Sequence, residues 1–254
     1  MIDGLGLDIW ALLIGIAFVS GIVDAIAGGG GLLTVPALAL IGLDPVSVIA
    51  TNKLQSTFGS ASATLHFARK GYIDVLDVWP MALASAFGSL VGALLLLQIP
   101  SQFALVALPF ILVLVAAYFA FSPRFDDAGH PPRLHPLVFA AGVVPLIGMY
   151  DGFFGPGTGS FFMLAFTALM GFGVVKATAH TKLANFASNA AGLLVLSLSG
   201  KVVLGLGLAM GLAQFTGAAL GSRLVLLKGH RLVKPLLIVM CCAMAFRLAL
   251  KQWA

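Results

Sequence analysis

The sequence contains no glutamate, and its only acidic side chains are nine aspartates in 254 residues. Charged residues of both signs make up 9% of the chain, whereas hydrophobic residues make up 60% and the mean hydropathy is +1.08. A composition this poor in charge excludes an ordinary soluble globular domain. Apolar runs long enough to cross a hydrocarbon core of ~30 Å recur along the whole length. The composition therefore predicts an all-α polytopic membrane protein, with the lipid bilayer as its surroundings.

Several features that would indicate other protein classes are missing. The only cysteines, Cys241 and Cys242, are adjacent within an apolar run, where we expect small apolar fillers and not a disulfide or a metal pair. Asp3 and Asp8 occupy the place of the positive region of a signal peptide, so the first helix is expected to stay. The net charge of +5 comes mainly from lysines and arginines at the ends of apolar runs, as membrane topology requires. No nucleic-acid partner, cofactor or metal is expected.

The apolar segments fall into two groups on either side of a polar stretch. This stretch contains His130 and His135, which could bind a metal, but its prolines favour a solvated linker. We predict a first transmembrane repeat at 1–121, a cytoplasmic polar linker at 122–136 and a second transmembrane repeat at 137–254. The predicted segments are 8–27, 32–42, 45–69, 77–98 and 101–121, followed by 137–154, 158–171, 174–198, 202–227 and 231–250.

The two halves form an internal repeat. An aspartate and a glycine match at an offset of 127 residues, and the later matches have an offset of 129, which indicates one small insertion after the first glycine loop. A lysine and an aspartate among the matches make chance agreement improbable, although glycine is abundant. The matching pairs are Asp24 with Asp151, Gly28 with Gly155, Gly42 with Gly171, Lys53 with Lys182, Gly71 with Gly200, Gly88 with Gly217, and Gly92 with Gly221.

The number of crossings in each half predicts the topology. In each half, a helix and a short segment return the chain to the side of the membrane where it entered, and three crossings follow. The number of crossings per half is therefore odd, so the repeats should be inverted, as in many secondary transporters. We therefore predict two inverted-topology repeats, each with a Gly-rich broken or re-entrant helix hairpin plus three transmembrane helices. Arg69 and Lys70, together with the cluster at Lys228, Arg231 and Lys234, place the linker in the cytoplasm and both termini outside.

Each half has a glycine-rich loop followed by a helix with a lysine inside an otherwise uncharged span. The loops lie at 28–31 and 155–159, and glycine there lets the backbone approach a ligand while the next half-helix directs free N–H groups into the gap. Lys53 and Lys182 each lie eight residues into their helices, ~12 Å deep. Snorkelling to the interface is the alternative, but the depth and the repetition favour lysines that face a cavity. Together these features suggest an anion pocket.

Polar residues surround both lysines. By helical spacing, Ser56 and Ser60 share a face with Lys53, and Asn185 and Asn189 share one with Lys182. Such residues also join packed membrane helices by hydrogen bonds, and we expect both roles to be filled. We expect Asn52, Gln55 and Asn185 to be nearer to the site than Ser60 or Asn189. The predicted substrate-binding residues are Lys53, Lys182, Asn52, Gln55, Thr51, His180, Thr181, Asn185, Gly29, Gly30, Gly157 and Thr158.

Asp24 and Asp151 end the helices that precede the glycine loops, and two roles stay open for them. They could cap the free N–H groups of the half-helices, or they could titrate, since a protonated aspartate would leave a lysine free for a substrate anion. A packing role is favoured for His66 and Tyr150. The two small-xxx-small patterns made by the glycine pairs at 88 and 92 and at 217 and 221 predict close helix contacts.

The motifs resemble those of the TauE/SafE family of sulfite-exporter-type permeases over nearly the whole chain. In the first half they are GGGGLLTVP at 28–36, TNKLQSTFG at 51–59 and RKG at 69–71. In the second half they are GMYDGFFGPGTG at 148–159 and HTKLAN at 180–185. The resemblance implies an inner-membrane transporter, from a family whose members are linked to sulfite, sulfonates and other sulfur-containing or organic anions.

These observations predict a secondary transporter that moves a small anion across a bacterial-type cytoplasmic membrane by alternating access, with a midplane site between the repeats. An anion channel built on the same pocket is the alternative. An enzyme is not expected, because the sequence shows no Ser–His or Asp–Asp pairing in a protease-like motif. The particular anion, the direction, the coupling ion and the oligomeric state, a homodimer included, stay open.

Overall fold

The computed structural model describes residues 6–73, 75–100 and 129–228, and within these ranges it contains eight helices and no strand. The predicted segments 101–121 and 231–250, residues 122–128 of the linker and both cysteines lie outside the described residues. Every other predicted segment is a helix, which confirms the all-α prediction for the described ranges. The helices are α1 (Leu7–Ala27), α2 (Gly31–Leu40), α3 (Pro45–Arg69), α4 (Val75–Gln98), α5 (Pro136–Phe153), α6 (Thr158–Ala168), α7 (Val174–Leu198) and α8 (Leu204–Lys228).

Four of the described helices are long and apolar enough to cross a membrane, namely α1, most of α4, α5 and α8. Helices α3 and α7 have 25 residues each, but they carry the buried lysines and their polar neighbours. Helices α2 and α6 are apolar and too short to span, with 10 and 11 residues. Large apolar side chains such as Leu12, Leu83, Leu146 and Leu212 are exposed on the outer helices, as expected for a surface that faces lipid.

Local sequence explains where the central helices begin and end. Helix α1 ends because Gly28 adopts the left-handed conformation, with φ of 76°, and donates its N–H to the carbonyl of Asp24. Helix α3 begins after Asp44, whose side chain accepts the N–H of Ser47 at 3.2 Å, and Pro45 occupies the first helical position. Helix α6 begins after Gly157, with φ of 83°, so both short helices follow a glycine turn.

Glycines let α8 pack on α1 and α4 pack on α5 at backbone contact. A Cβ atom at any of the four repeat glycines would overlap a backbone carbonyl of the facing helix, which confirms the predicted close contacts. At these contacts the residue numbers increase in the same direction along both helices of a pair, so the two helices of each pair are parallel. The contacts join Gly217 to Phe18, Gly221 to Ile22, Gly88 to Pro145 and Gly92 to Met149.

Hydroxyl groups mark a second pair of parallel contacts, between α3 and α8 and between α4 and α7. Near the start of α3 the hydroxyl of Thr51 accepts a hydrogen bond from the residue before α8, and further along Ser62 donates to a carbonyl of α8. Ser85 and Ser89 donate to successive turns of α7 at 2.8 and 2.6 Å. The fourth helix of each half therefore packs on the first and third helices of the other half.

These directions determine the course of the short helices. Because α1 and α3 both run parallel to α8, α2 must carry the chain back toward the end where α1 began. The second half shows the same return directly. The N–H of His130, before α5, donates to the carbonyl of Gly171 at 2.9 Å, and the N–H of Arg133 donates to that of Leu169 at 2.8 Å. Both acceptors lie just after α6, so α5 and α6 form a hairpin whose two ends meet.

Candidate functional site

The two glycine loops contact each other at the centre of the helix bundle. The N–H of Ser160 donates to the carbonyl of Gly28 at 3.2 Å, and its hydroxyl donates to the carbonyl of Ala27 at 2.5 Å. A Cβ atom on Gly159 would lie 2.6 Å from the Cα of Gly28, closer than any real contact. Only glycine at both positions permits this approach, which brings the N-terminal ends of α2 and α6 together.

Each of the two lysines crosses to the aspartate of the other half. Lys53 Nζ lies 2.7 Å from Asp151 Oδ2, and Lys182 Nζ lies 3.0 Å from Asp24 Oδ2 while it also donates to the backbone carbonyl of Asp24. Both lysines are 0% exposed. The sequence singled out all four residues but did not predict this crossed pairing, because the pairing depends on how the halves interdigitate.

Lys53 has a second partner, and this partner is not the asparagine that we expected to lie nearer to the site. Its Nζ donates to Asn189 Oδ1 at 3.1 Å, and Asn189 in turn donates to Asn185 Oδ1 at 3.1 Å. Asn185 was expected to be the nearer of the two, yet Asn189 is the one that contacts a lysine. The reason is that Lys53 enters from α3 and extends along α7 near Gly192, where a Cβ would lie 3.5 Å from Lys53 Cδ. The glycine one turn after Asn189 was the available sequence signal.

Asp24 also caps the first glycine loop. Its Oδ1 accepts the N–H of Gly30 at 3.3 Å, which is the capping role considered for it. Among the described residues, Asp151 accepts no comparable backbone N–H, and its neighbouring loop is closed instead by Tyr150, whose hydroxyl donates to the carbonyl of Pro156 at 2.7 Å. The two aspartates therefore share the ion-pair role but differ in their loop contacts.

A polar network joins α2 to α3 beside the first loop. Asn52 Oδ1 accepts the hydroxyl of Thr34 at 2.6 Å and Nε2 of Gln55 at 2.9 Å. The Cβ position of Gly31 lies 3.6 Å from Asn52 Nδ2 and 3.2 Å from the Cα of Pro156, so this network lies where the two loops meet. Sequence reasoning missed Thr34, since a threonine within a short apolar helix carries no spacing signal.

Two buried polar atoms of the predicted site have no hydrogen-bond partner among the described residues. They are Gln55 Oε1 and Thr181 Oγ1, on residues whose exposed fractions are 0% and 1%. Thr181 directly precedes Lys182, and Gln55 follows Lys53 by two residues. Buried polar atoms in native proteins nearly always have a partner, so these two atoms are positions where the described contacts leave hydrogen-bonding capacity unused.

The remaining predicted residues divide between the loops and the helix ends. Gly29 and Gly30 accept N–H groups from the first turn of α2, and Thr158 donates its hydroxyl to the carbonyl of Gly155 at 2.7 Å, next to Gly157. Thr51 instead binds the start of α8. His180 packs its ring against two phenylalanines, with Nδ1 2.9 Å from the carbonyl of Lys176. The structure does not bring Thr51 and His180 to the ion pairs.

The two histidines of the predicted linker make local contacts. His130 Nδ1 lies 2.8 Å from the carbonyl of Pro131, and His135 Nδ1 accepts the N–H of Leu137. In the described ranges no group of three or more His, Cys, Asp or Glu side chains is placed to hold a metal ion. An apolar groove of about 490 Å³ lies between α5 and α6 and is lined by residues such as Leu146 and Leu164, away from the lysines.

Comparison with known proteins identifies the family. The model of the sulfite exporter TauE/SafE family matches residues 13–248. A probable membrane transporter protein of a Sinorhizobium species is 49% identical over 96% of this chain and 94% of its own length. Probable membrane transporter proteins of Haemophilus influenzae and Escherichia coli K12 are 40% and 42% identical, over 98% and 93% of this chain and over 97% and 90% of their own lengths. No solved structure matches. The chain therefore belongs to the sulfite exporter TauE/SafE family of membrane transporters.

Proposed function

We propose that this protein is a secondary transporter of a small anion, such as sulfite, an organosulfonate or a related sulfur-containing or organic anion. It works by alternating access in a bacterial-type cytoplasmic membrane, with the substrate site midway between its halves. The family description names a sulfite exporter. The observation that carries the proposal is the pair of fully buried lysines, Lys53 and Lys182, beside two glycine loops that touch.

The proposed architecture is a pair of inverted repeats. Its support is the helix directions: α1 and α3 run parallel to α8, whereas α5 and α7 run parallel to α4. Short connections join α3 to α4 and α7 to α8, so these neighbours run antiparallel. Matching helices of the two halves then point in opposite directions. Under this arrangement the lysines approach the same depth from opposite faces, which is the site geometry of many secondary transporters.

The anion binds by replacing a carboxylate as the counter-ion of a lysine. In the ion-paired state Asp151 and Asp24 neutralise the two lysines. When an aspartate releases its lysine, the ammonium group, the N–H groups at the start of a half-helix and the Thr181 hydroxyl are donors for an oxyanion. Burial strengthens each of these contacts, because little water screens them.

The burial of the lysines favours a transporter over the alternative of an anion channel. A channel offers its ion a continuous wet path, with sites weak enough for rapid release. Here both ammonium groups are 0% exposed and each is held by a carboxylate, so the described conformation is closed around the site. A turnover rate in the range of a carrier, far below that of a channel, is expected.

Titration calorimetry of the purified protein with sulfite, thiosulfate, sulfoacetate and small carboxylates tests the proposal. We expect at least one of these anions to bind, and Lys53→Ala and Lys182→Ala to abolish that binding. Lys176→Ala is the matched control, since Lys176 is exposed at the start of α7 over the ring of Phe172 and should leave binding unchanged. Unchanged affinity in both lysine variants and in their double variant would overturn the site.

A further inference from the structure

We infer that the transported anion moves together with as many protons as it has negative charges, up to two, and that Asp151 and Asp24 carry these protons. This inference rests on the proposed function, because it specifies how the same site balances the charge of its substrate. It limits the substrate class to monoanions and dianions. It also makes transport electrically neutral.

The first step is the charge of the site without substrate. Lys53 pairs with Asp151 and Lys182 pairs with Asp24, so the described site contains two positive and two negative groups. All four side chains are buried, with exposed fractions of 0% for the lysines and of 2% and 9% for Asp151 and Asp24. The four charges therefore cancel within a buried environment.

The second step is the effect of adding an anion. One more negative charge in this buried site would be uncompensated, and an uncompensated buried charge is strongly unfavourable in a membrane. A proton on one carboxylate restores neutrality for a monoanion, and protons on both restore it for a dianion. The structure offers no third carboxylate near the pairs among its described residues, so a trianion would remain uncompensated.

The other titratable groups that face the centre do not take this role. Tyr150, adjacent to Asp151, already donates its hydroxyl to the carbonyl of Pro156. His180 is the histidine of α7, and its ring packs edge-on against Phe166 and Phe172. The ammonium group of Lys176 lies over the Phe172 ring and would repel an added positive charge there. The aspartates are the groups that become neutral when they accept a proton.

The third step is that each lysine keeps a neutral oxygen when its aspartate is protonated. Lys53 retains Asn189 Oδ1 at 3.1 Å, and Lys182 retains the backbone carbonyl of Asp24. Neither ammonium group would lose all its contacts, and its positive charge would then be available to the anion. On release, the proton and the anion leave together and both ion pairs close again. The empty protein can therefore also return without net charge movement.

Proteoliposomes test the inference with methanesulfonate as the monoanion and thiosulfate as the dianion. Proton movement is followed with an internal pH dye while valinomycin and potassium clamp the membrane potential. We expect one proton to move with each methanesulfonate and two with each thiosulfate. We also expect the accumulation ratio to be independent of potential, whereas each net charge moved would change it about 50-fold per 100 mV.

Variants assign the protons to residues. Asp151→Asn and Asp24→Asn should each lower the number of protons that move with thiosulfate from two to one. Asp44→Asn is the control, because Asp44 is an exposed helix cap outside the site and should leave the number at two. If a variant fails to fold, the proton count and the potential dependence of the wild-type protein still decide the matter.

The outcomes separate this inference from the proposed function. Anion flux without proton movement, or with accumulation that depends on potential, would overturn the inference and leave anion transport intact. Flux of neither probe under any gradient would overturn the proposed transport of such anions as well. Proton movement that is unchanged in both asparagine variants would refute the assignment to Asp24 and Asp151.

Discussion

The two buried ion pairs are related by the internal repeat, yet their surroundings differ. Lys53 and Asp151 are supported by a side chain, since Asn189 supplies the second oxygen for the lysine. Lys182 and Asp24 are supported by backbone, since the lysine also binds the carbonyl of Asp24 and the carboxylate accepts the N–H of a loop glycine. The repeat has preserved the charges and not the groups around them.

This difference has a consequence for how firmly each pair is held. A backbone partner cannot be removed by changing a side chain, and it couples the Lys182–Asp24 pair directly to the conformation of the first glycine loop. The Lys53–Asp151 pair depends on Asn189, whose repeat counterpart Ser60 donates only to carbonyls of its own helix. We therefore expect the two pairs to respond unequally to matched substitutions.

The largest difference is expected when the aspartates are removed. Asp151→Ala and Asp24→Ala each leave a buried lysine without its counter-ion, which costs about 3–5 kcal/mol for a buried pair. Asp24→Ala also removes the cap on Gly30, worth about 1 kcal/mol, so it should be the more destabilising of the two. Melting temperatures of the purified variants in one detergent give the comparison.

The double variants provide the control for this prediction. Removing the partner as well, in Asp151→Ala with Lys53→Ala and in Asp24→Ala with Lys182→Ala, eliminates the unpaired charge and should recover part of the loss. If each double variant melts as low as the corresponding single variant, the ion pairs are not the source of the destabilisation.

The second prediction compares Asn189 with Ser60. Asn189→Ala removes the side-chain oxygen from Lys53, and a hydrogen bond to a charged group is worth about 1.5–3 kcal/mol. Ser60→Ala removes a hydroxyl that bonds within α3 and should change stability by about 0.5 kcal/mol or less. Thermal unfolding measures both. Equal losses would show that the two halves support their ion pairs alike.

The sequence predicted the helices closely, because their signals are local. Apolar runs, the proline after Asp44 and the glycines at 28 and 157 specify where the helices begin and end, and the described boundaries agree within about three residues. The glycine pairs also predicted backbone contact correctly. The spacing of residues within one helix does not show which helix it packs against. That tertiary information comes only from the structure.

The site shows the same limit. The burial of Lys53 and Lys182 could be predicted from their positions within single helices, but the pairing of each lysine with the aspartate of the other half follows from α4 and α8 packing on the opposite halves. Likewise, His180 shares its sequence neighbourhood with Lys182, yet its ring packs toward Phe172 near the end of α6. Neighbours in sequence point to different sides of a helix, so proximity along the chain did not predict which of these residues contact the ion pairs.

The smallest effect is expected at the hydroxyl groups that close the two loops. Tyr150→Phe removes the hydrogen bond to the carbonyl of Pro156, for which the described residues offer no second donor, so a loss of about 1 kcal/mol is expected. Ser20→Ala removes a bond to the carbonyl of Gly30, but the backbone N–H groups of Leu33 and Thr34 still donate to that carbonyl at 3.0 and 3.3 Å, so the loss should be about 0.5 kcal/mol. Melting temperatures should therefore fall further for Tyr150→Phe. A larger fall for Ser20→Ala would mean that the first loop, and not the second, depends on its hydroxyl contact.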